Sequence, residues 1–303
     1  SDAQKALAGF DMTLPKDVMV DPQIFAVKTI DLKNNLIRHY QRFYLNLDRQ
    51  KFDLWLESII PEDVELHCDS RCTRIERTQE GFKITFRQKN ELRTIFSRYL
   101  VGADGANSIV RRTFYPNKKI RNYLSIQQWF EETHSNPFYS CIFDPENTDC
   151  CSWSISKDNQ FIFGGAFPKD NAKRRFENQK KKLENYGFRF GKPLKTEACL
   201  VLRPSSLGDF CCGMDGVFLI GEAAGFISPS SLEGISSAIN SALILSKILN
   251  AKEKHPNKKY HLKTRPIRLK LFMKVLKCPF MYQSTLRRLV MKSGLKSIKI
   301  TSS

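Results

Sequence analysis

The chain of 303 residues contains no run of eighteen or more apolar residues, so no segment reads as a membrane-spanning helix. No basic-then-apolar stretch marks the N-terminus as a secretion signal. The nine cysteines (Cys68, Cys72, Cys141, Cys150, Cys151, Cys199, Cys211, Cys212 and Cys278) are odd in number and include two adjacent pairs but no C-x-x-C. This usage argues against a disulfide framework or a zinc site and fits a reducing, cytoplasmic compartment. The five histidines are scattered, and no His/Cys/carboxylate spacing suits a metal ion. No Ser/His/Asp set or carboxylate pair announces acid–base catalysis. Also missing is G-x-G-x-x-G, the turn that seats a pyrophosphate on a helix N-terminus. The hydrophobic content, 41%, is enough to bury a sizeable core, and the length suggests two lobes.

What the chain does have is two glycine–acid turns about a hundred residues apart. The first, GADGANSIVRR at 102–112, follows a short buried strand at 99–101, and Ser108 is placed to cap a helix that begins near Ile109. Glycine at such a turn lets the backbone approach a cofactor, although an Asp-Gly turn after a strand is common in itself. The second, GVFLIGEAAG at 216–225, is a strand ending in small residues, then a loop at 226–232 and a helix over 233–249. Its loop-to-helix junction suits a pyrophosphate or the negative charge of a reduced ring, because helix N-termini carry unpaired N–H groups and partial positive charge. Gly234 and Ser236 keep that first turn thin, and Glu222 is an acid placed to accept a hydrogen bond from a sugar-chain hydroxyl. Two such turns in this order point to a flavin site.

At these residues the chain resembles the FAD-dependent oxidoreductases built like para-hydroxybenzoate hydroxylase, and within them the geranylgeranyl reductase group. That family carries G-A-D-G-x-x-S-x-V-R, here residues 102–111, and G-[DE]-A-A-G-x-x-S-P-x-x-x-E-G-I, here 221–235. An R-x-x-F-D-x-x-L string ahead of the first motif matches residues 49–56. The resemblance covers roughly residues 1–250 and assigns Arg49, Gly102, Asp104 and Gly105 to FAD binding. Gly221, Glu222, Gly225, Gly234 and Ile235 join them on the same ground. On its own pattern Arg49 is also consistent with a helix that faces Phe52, Trp55 and Leu56 to the core and the arginine to solvent. The family begins with a strand and the G-x-G-x-x-G turn that this chain lacks, and the chain opens at Ser1-Asp2-Ala3-Gln4 without an initiator Met. It is therefore expected to be a fragment or truncated form, with an exposed strand edge and without the main pyrophosphate contacts. Glu222 stands where many relatives have Asp.

Between the two turns, residues 123–132, 138–144, 151–156 and 160–167 are short, aromatic and β-branched, and Lys157-Asp158-Asn159 makes a hairpin turn. These predict an antiparallel sheet, followed by a charged helix over 171–186 and a strand at 197–203. In the family this sheet roofs the flavin ring and forms the substrate cavity. Its isoprenoid-reducing members carry Y-x-W-x-F-P-K there, of which CSWSISK at 151–157 keeps Trp153 and Lys157 as candidate substrate contacts. A tryptophan in such a strand is more often a core or sheet-face residue than a substrate wall.

Charge is uneven. Residues 252–303 hold 15 Lys or Arg against one acid, Glu253, while the other 251 residues hold 34 basic and 30 acidic groups. Leucine, phenylalanine, valine and methionine recur among the tail cations at near-helical spacing. Such helices can lie on an anionic membrane surface, or close over the substrate lobe and turn their lysines to water. Nucleic acid is a weaker reading, because no recognised binding fold accompanies the charge.

These readings predict an α/β chain. A Rossmann-like, three-layer FAD-binding domain, N-terminally incomplete, occupies residues 1–115 and 204–250; an antiparallel substrate domain is inserted at 116–203; basic helices fill 251–303. The implied activity is FAD-dependent reduction of C=C bonds in an isoprenoid or other apolar substrate, with NAD(P)H or another reductant as donor. Two alternatives remain: an FAD-dependent monooxygenase on the same scaffold, and a non-catalytic remnant with a basic membrane-surface tail. The catalytic residues are not identifiable from the sequence.

Overall fold

A computed structural model describes residues 2–132 and 138–299. Helix α1 (Asp2–Ala8) precedes the hairpin of β1 (Ile24–Asp31) and β2 (Leu36–Tyr44), whose turn is fixed by Asp31 accepting from the Lys33 and Asn34 N–H groups. Asp48 caps α2 (Arg49–Ser58) by accepting from the Lys51 N–H at 3.0 Å. Strands β3 (Ser70–Arg77), β4 (Phe82–Gln88) and β5 (Glu91–Ser97) form an antiparallel meander. Strand β6 (Leu100–Gly102) then leads into α3 (Ile109–Phe114), which begins where Ser108 accepts from the Arg111 N–H at 2.9 Å.

Next come β7 (Asn122–Glu131), β8 (Phe138–Phe143), β9 (Cys151–Lys157), β10 (Gln160–Phe167), α4 (Ala172–Glu184) and β11 (Lys195–Leu202). The β9–β10 hairpin turns at Asp158, whose φ is +52°. Strand β12 (Val217–Leu219) returns to pair in parallel with β6. The chain closes with α5 (Ile235–Asn250), α6 (Pro256–Lys263), α7 (Arg265–Tyr282), α8 (Ser284–Ser293) and β13 (Ser297–Ile298). The last four residues of the basic tail lie outside the described residues.

The largest layer is an eight-stranded sheet in the order β11-β7-β10-β9-β8-β1-β2-β13. Its strands run antiparallel except at β1 and β8, which pair in parallel from Ala26↔Phe138 to Asp31↔Phe143. The β1–β2 hairpin, from the first 115 residues, and β13, from the basic tail, thus extend the sheet formed by the middle of the chain. One face of this sheet packs on α4, where Phe130, Phe163, Phe167, Phe176, Ile30 and Ile142 are buried together. A separate core gathers the meander, β6, β12 and the helices α5–α7 around Phe82, Val110, Phe218, Tyr260 and Leu271. This α/β arrangement with a helical C-terminal part is the class that the sequence predicts.

Candidate cofactor site

The two glycine–acid turns meet. Register pairs Val217 with Leu100 and Leu219 with Gly102, and the Ile220 N–H donates to the Gly102 carbonyl at 3.0 Å. Both turns therefore leave the C-terminal ends of adjacent parallel strands, the end of an open α/β sheet where ligands bind. Gly102 is required by packing: a Cβ there would stand 2.6 Å from Leu219 and 2.8 Å from Val110. Gly105 has φ +69° and nothing within 4 Å of where a Cβ would be, so its backbone is open to an approaching group. Gly221 (φ +54°) and Gly225 (φ +80°) shape the second turn, and a Cβ on Gly225 would lie 2.7 Å from the Asp209 carbonyl. Asp104 does not point away as a free acid; its carboxylate accepts from the Ile109 N–H at 2.7 Å and fixes the start of α3.

Arg111 joins the two turns. Its guanidinium, nearly inaccessible to solvent, donates to the Ala223 carbonyl at 2.7 Å and also to the Ala106 carbonyl. Burial lowers its pKa from the ordinary arginine value. Glu222 is half-buried, and its Oε1 accepts from the Leu202 N–H at 2.7 Å, which ties the second turn to the end of β11. Its Oε2 has no hydrogen bond to the described residues. Burial raises the Glu222 carboxyl above its usual range, against the smaller opposing effects of the Leu202 N–H and Arg111.

The loop at 226–232 is braced from two sides. Arg203, at the end of β11, donates to the Pro229 carbonyl at 3.1 Å and to Asp149 at 2.9 Å, and it lies over the Tyr282 ring. The Tyr282 hydroxyl donates to the Ser230 carbonyl at 2.6 Å. Gly234 then opens α5 with no side-chain cap, so the N–H groups of the first turn, beginning at Ile235, have no intrahelical partner. The Ile235 side chain itself packs beside Phe52, Leu7 and Val18.

Facing this junction is the side of the eight-stranded sheet that is turned away from α4. Residues opposite each other in register share a face, which places Cys141 beside Trp153, Trp153 beside Gly164, and Trp129 beside Ile162. Trp153 is half-buried over Gly164, where a Cβ would meet its ring at 2.7 Å, and its Nε1 donates to Gln127 at 3.3 Å. Tyr139 and Tyr44 pack together with ring centroids 5.6 Å apart. Burial raises the Tyr44 phenol, and the Glu233 carboxylate adds to the shift; the Tyr282 ring, 5.6 Å from Phe143 of β8, brings the loop before α5 to this face through its bond to Ser230.

Lys157 and Arg49 are also brought near each other. Burial depresses the Lys157 ammonium, the Arg49 charge adds to this, and its Nζ donates to the Leu47 carbonyl. Arg49 is exposed at the first position of α2. The structure thus unites Gly102, Asp104, Gly105, Gly221, Glu222 and Gly225 at one strand end, with Gly234 and Ile235 at the α5 start. Trp153 stands on the sheet face, and Lys157 is held against the chain before α2. The sequence reading missed Arg111 and Arg203 as site-forming residues. Arg111 lies within the motif string, but nothing local shows that its charge turns inward, and the partners of Arg203 are 26 to 80 residues away.

A group carrying phosphates and hydroxyls fits these features: an open positive-φ glycine, an uncapped helix start and a carboxylate oxygen with a free side. The family model described as FAD binding domain matches residues 61–277, most of the chain. The chain belongs to this FAD-binding family. Protein CbrA of Escherichia coli O9:H4 (strain HS) is 52% identical over 297 residues, covering 98% of this chain and 81% of that protein. Among solved structures, a geranylgeranyl bacteriochlorophyll reductase-like protein from Thermoplasma acidophilum superposes with a TM-score of 0.77 at 15% identity, over 94% of this chain and 78% of that one. PqsL, a probable FAD-dependent monooxygenase from Pseudomonas aeruginosa, gives 0.68 at 16%, over 97% and 87%. Klebsiella pneumoniae HpxO, complexed with FAD and uric acid, gives 0.67 at 13%, over 96% and 81%. Among the described residues no group of three or more His, Cys, Asp or Glu could hold a metal ion.

Proposed function

We propose that the protein is an FAD-dependent oxidoreductase that reduces C=C bonds of an isoprenoid or similarly apolar substrate, with NAD(P)H or another reductant as electron donor. The carrying observation is the aromatic sheet face on which Trp153 and Tyr139 share a side and Tyr139 packs on Tyr44, next to the loop that leads into α5. The fold likeness to the geranylgeranyl bacteriochlorophyll reductase-like protein supports the same reading.

FAD, when bound, supplies the electron-transfer chemistry. The chain's own residues bind and exclude. Gly105 and the α5 N-terminus offer close backbone and unpaired N–H groups, the latter favouring negative charge. Glu222 offers its free carboxylate oxygen to a hydroxyl, and Arg111 holds the two turns in fixed relation. Trp153 and Tyr139 line the side from which an apolar substrate approaches, keeping water from the reacting bond.

The test is an anaerobic incubation of the reduced, FAD-loaded protein with a geranylgeranyl lipid, followed by mass spectrometry. The expected result is a mass gain of about 2 for each double bond reduced (two hydrogens added). No gain, together with oxygen uptake that such a compound stimulates in the presence of NAD(P)H, would replace this reading with a monooxygenase.

A further inference from the structure

Helix α7 carries two apolar faces, of which the core uses one. Leu271 is buried on the inner face, with Ile267 and Phe272 packed beside the same core. On the opposite side Leu269, Met273, Leu276 and Phe280 follow at steps of four, three and four residues, which the helical period lines up in a single stripe. These side chains are 44%, 62%, 52% and 55% exposed. The stripe runs about 17 Å along the helix, from the rise per residue. A surface helix ordinarily turns polar residues to water on that side; a line of four long apolar side chains marks a surface that something covers.

The charge around the stripe says what that is. α7 contains Arg265, Arg268, Lys270, Lys274 and Lys277 and no acid. By the helical period Lys277 falls on one flank of the stripe and Arg265 on the other. The single acid from residue 252 onward, Glu253, is paired with Lys259. Nucleic acid would satisfy the cations and leave the stripe in water. An apolar protein groove would take the stripe and leave the flanking cations without counter-charge. The headgroup plane of an anionic bilayer meets both demands at one depth, with phosphates for the cations and acyl chains for the stripe.

We propose that the outer face of α7 docks on an anionic phospholipid bilayer, with Leu269, Met273, Leu276 and Phe280 inserted and the flanking cations among the headgroups. The contact is peripheral, since among the described residues no helix is long and apolar enough to cross a membrane. This inference does not depend on the flavin reading, but an isoprenoid substrate would be met at that same surface.

Co-sedimentation of the purified protein with vesicles tests it. Phosphatidylglycerol-containing vesicles are expected to bind at low salt and release at high salt, and pure phosphatidylcholine vesicles to bind at least tenfold more weakly. The variant Leu269→Ser/Met273→Ser/Phe280→Ser is expected to melt as the parent does and to lose at least tenfold in affinity. As a variant that keeps the apolar face, Met273→Trp should gain fluorescence quenching by brominated phosphatidylglycerol relative to the parent. Four results would each overturn the proposal: protein left in the supernatant at low salt, undiminished binding by the triple variant, no added quenching in the Met273→Trp variant, or a stable dimer that buries the stripe.

Discussion

Glu222 shows how far a single residue can be read from sequence. Its place after a strand, in a turn of small residues, marks it as a site acid, and the structure sets one carboxylate oxygen against the Leu202 N–H with the other free. The direction of its pKa was not legible, because it is set by burial in the folded chain against the opposing Leu202 N–H and Arg111, both distant in sequence. Since its folded value lies above the unfolded one, the stability linked to this group is complete below the ordinary carboxylate range and falls as pH rises through the folded value. Glu222→Gln keeps an acceptor for Leu202, so urea unfolding across pH 4 to 8 should show a flatter decline above the carboxylate range than the parent. An unchanged or steeper profile would mean that the carboxyl is not held in its buried, raised state. Arg111 illustrates the converse: a residue printed in a motif can organise the site through backbone carbonyls, a role that no spacing rule announces.

At the scale of elements, local signals did well and long-range pairing did not. The β9–β10 hairpin, the capped start of α3 and the strand–turn–helix around β12 each follow from nearby residues such as Asp158, Ser108 and Gly221. The parallel junction of β1 with β8, by contrast, joins segments more than a hundred residues apart, and alternation of side chains cannot specify a partner strand. The tail offers a sharper case. Among its cations Arg287 is not a surface charge: it forms a buried, two-pronged pair with Asp31 at 2.7 and 3.0 Å, lies over the Phe143 ring, and fastens α8 to the β1–β2 turn. Burial opposes the Asp31 carboxylate, but hydrogen bonds from Arg287 and Asn34 hold its pKa below the ordinary value. Its contribution is therefore present above the ordinary carboxylate range and disappears as pH falls through the lowered folded value. Arg287→Ala leaves that carboxylate buried and unpaired, and denaturant unfolding should show a loss of about 3–5 kcal/mol. A loss below about 1 kcal/mol, the size of a surface pair, would mean that α8 is not anchored in this way.

For the whole molecule, the decisive arrangement is the meeting of the two turns at the ends of β6 and β12, opposite an aromatic sheet face. The turns were legible because glycine and small residues cluster directly after a strand and before a helix, a local pattern. The opposing wall was legible only as a set of strands, since its face depends on the registers of β9 with β8 and with β10. FAD binding is the claim on which the proposed function depends. The visible absorption spectrum of the protein, incubated with FAD and freed of unbound cofactor, tests it most directly: the account predicts flavin bands amounting to about one FAD per chain, and a colourless protein after that treatment would contradict it.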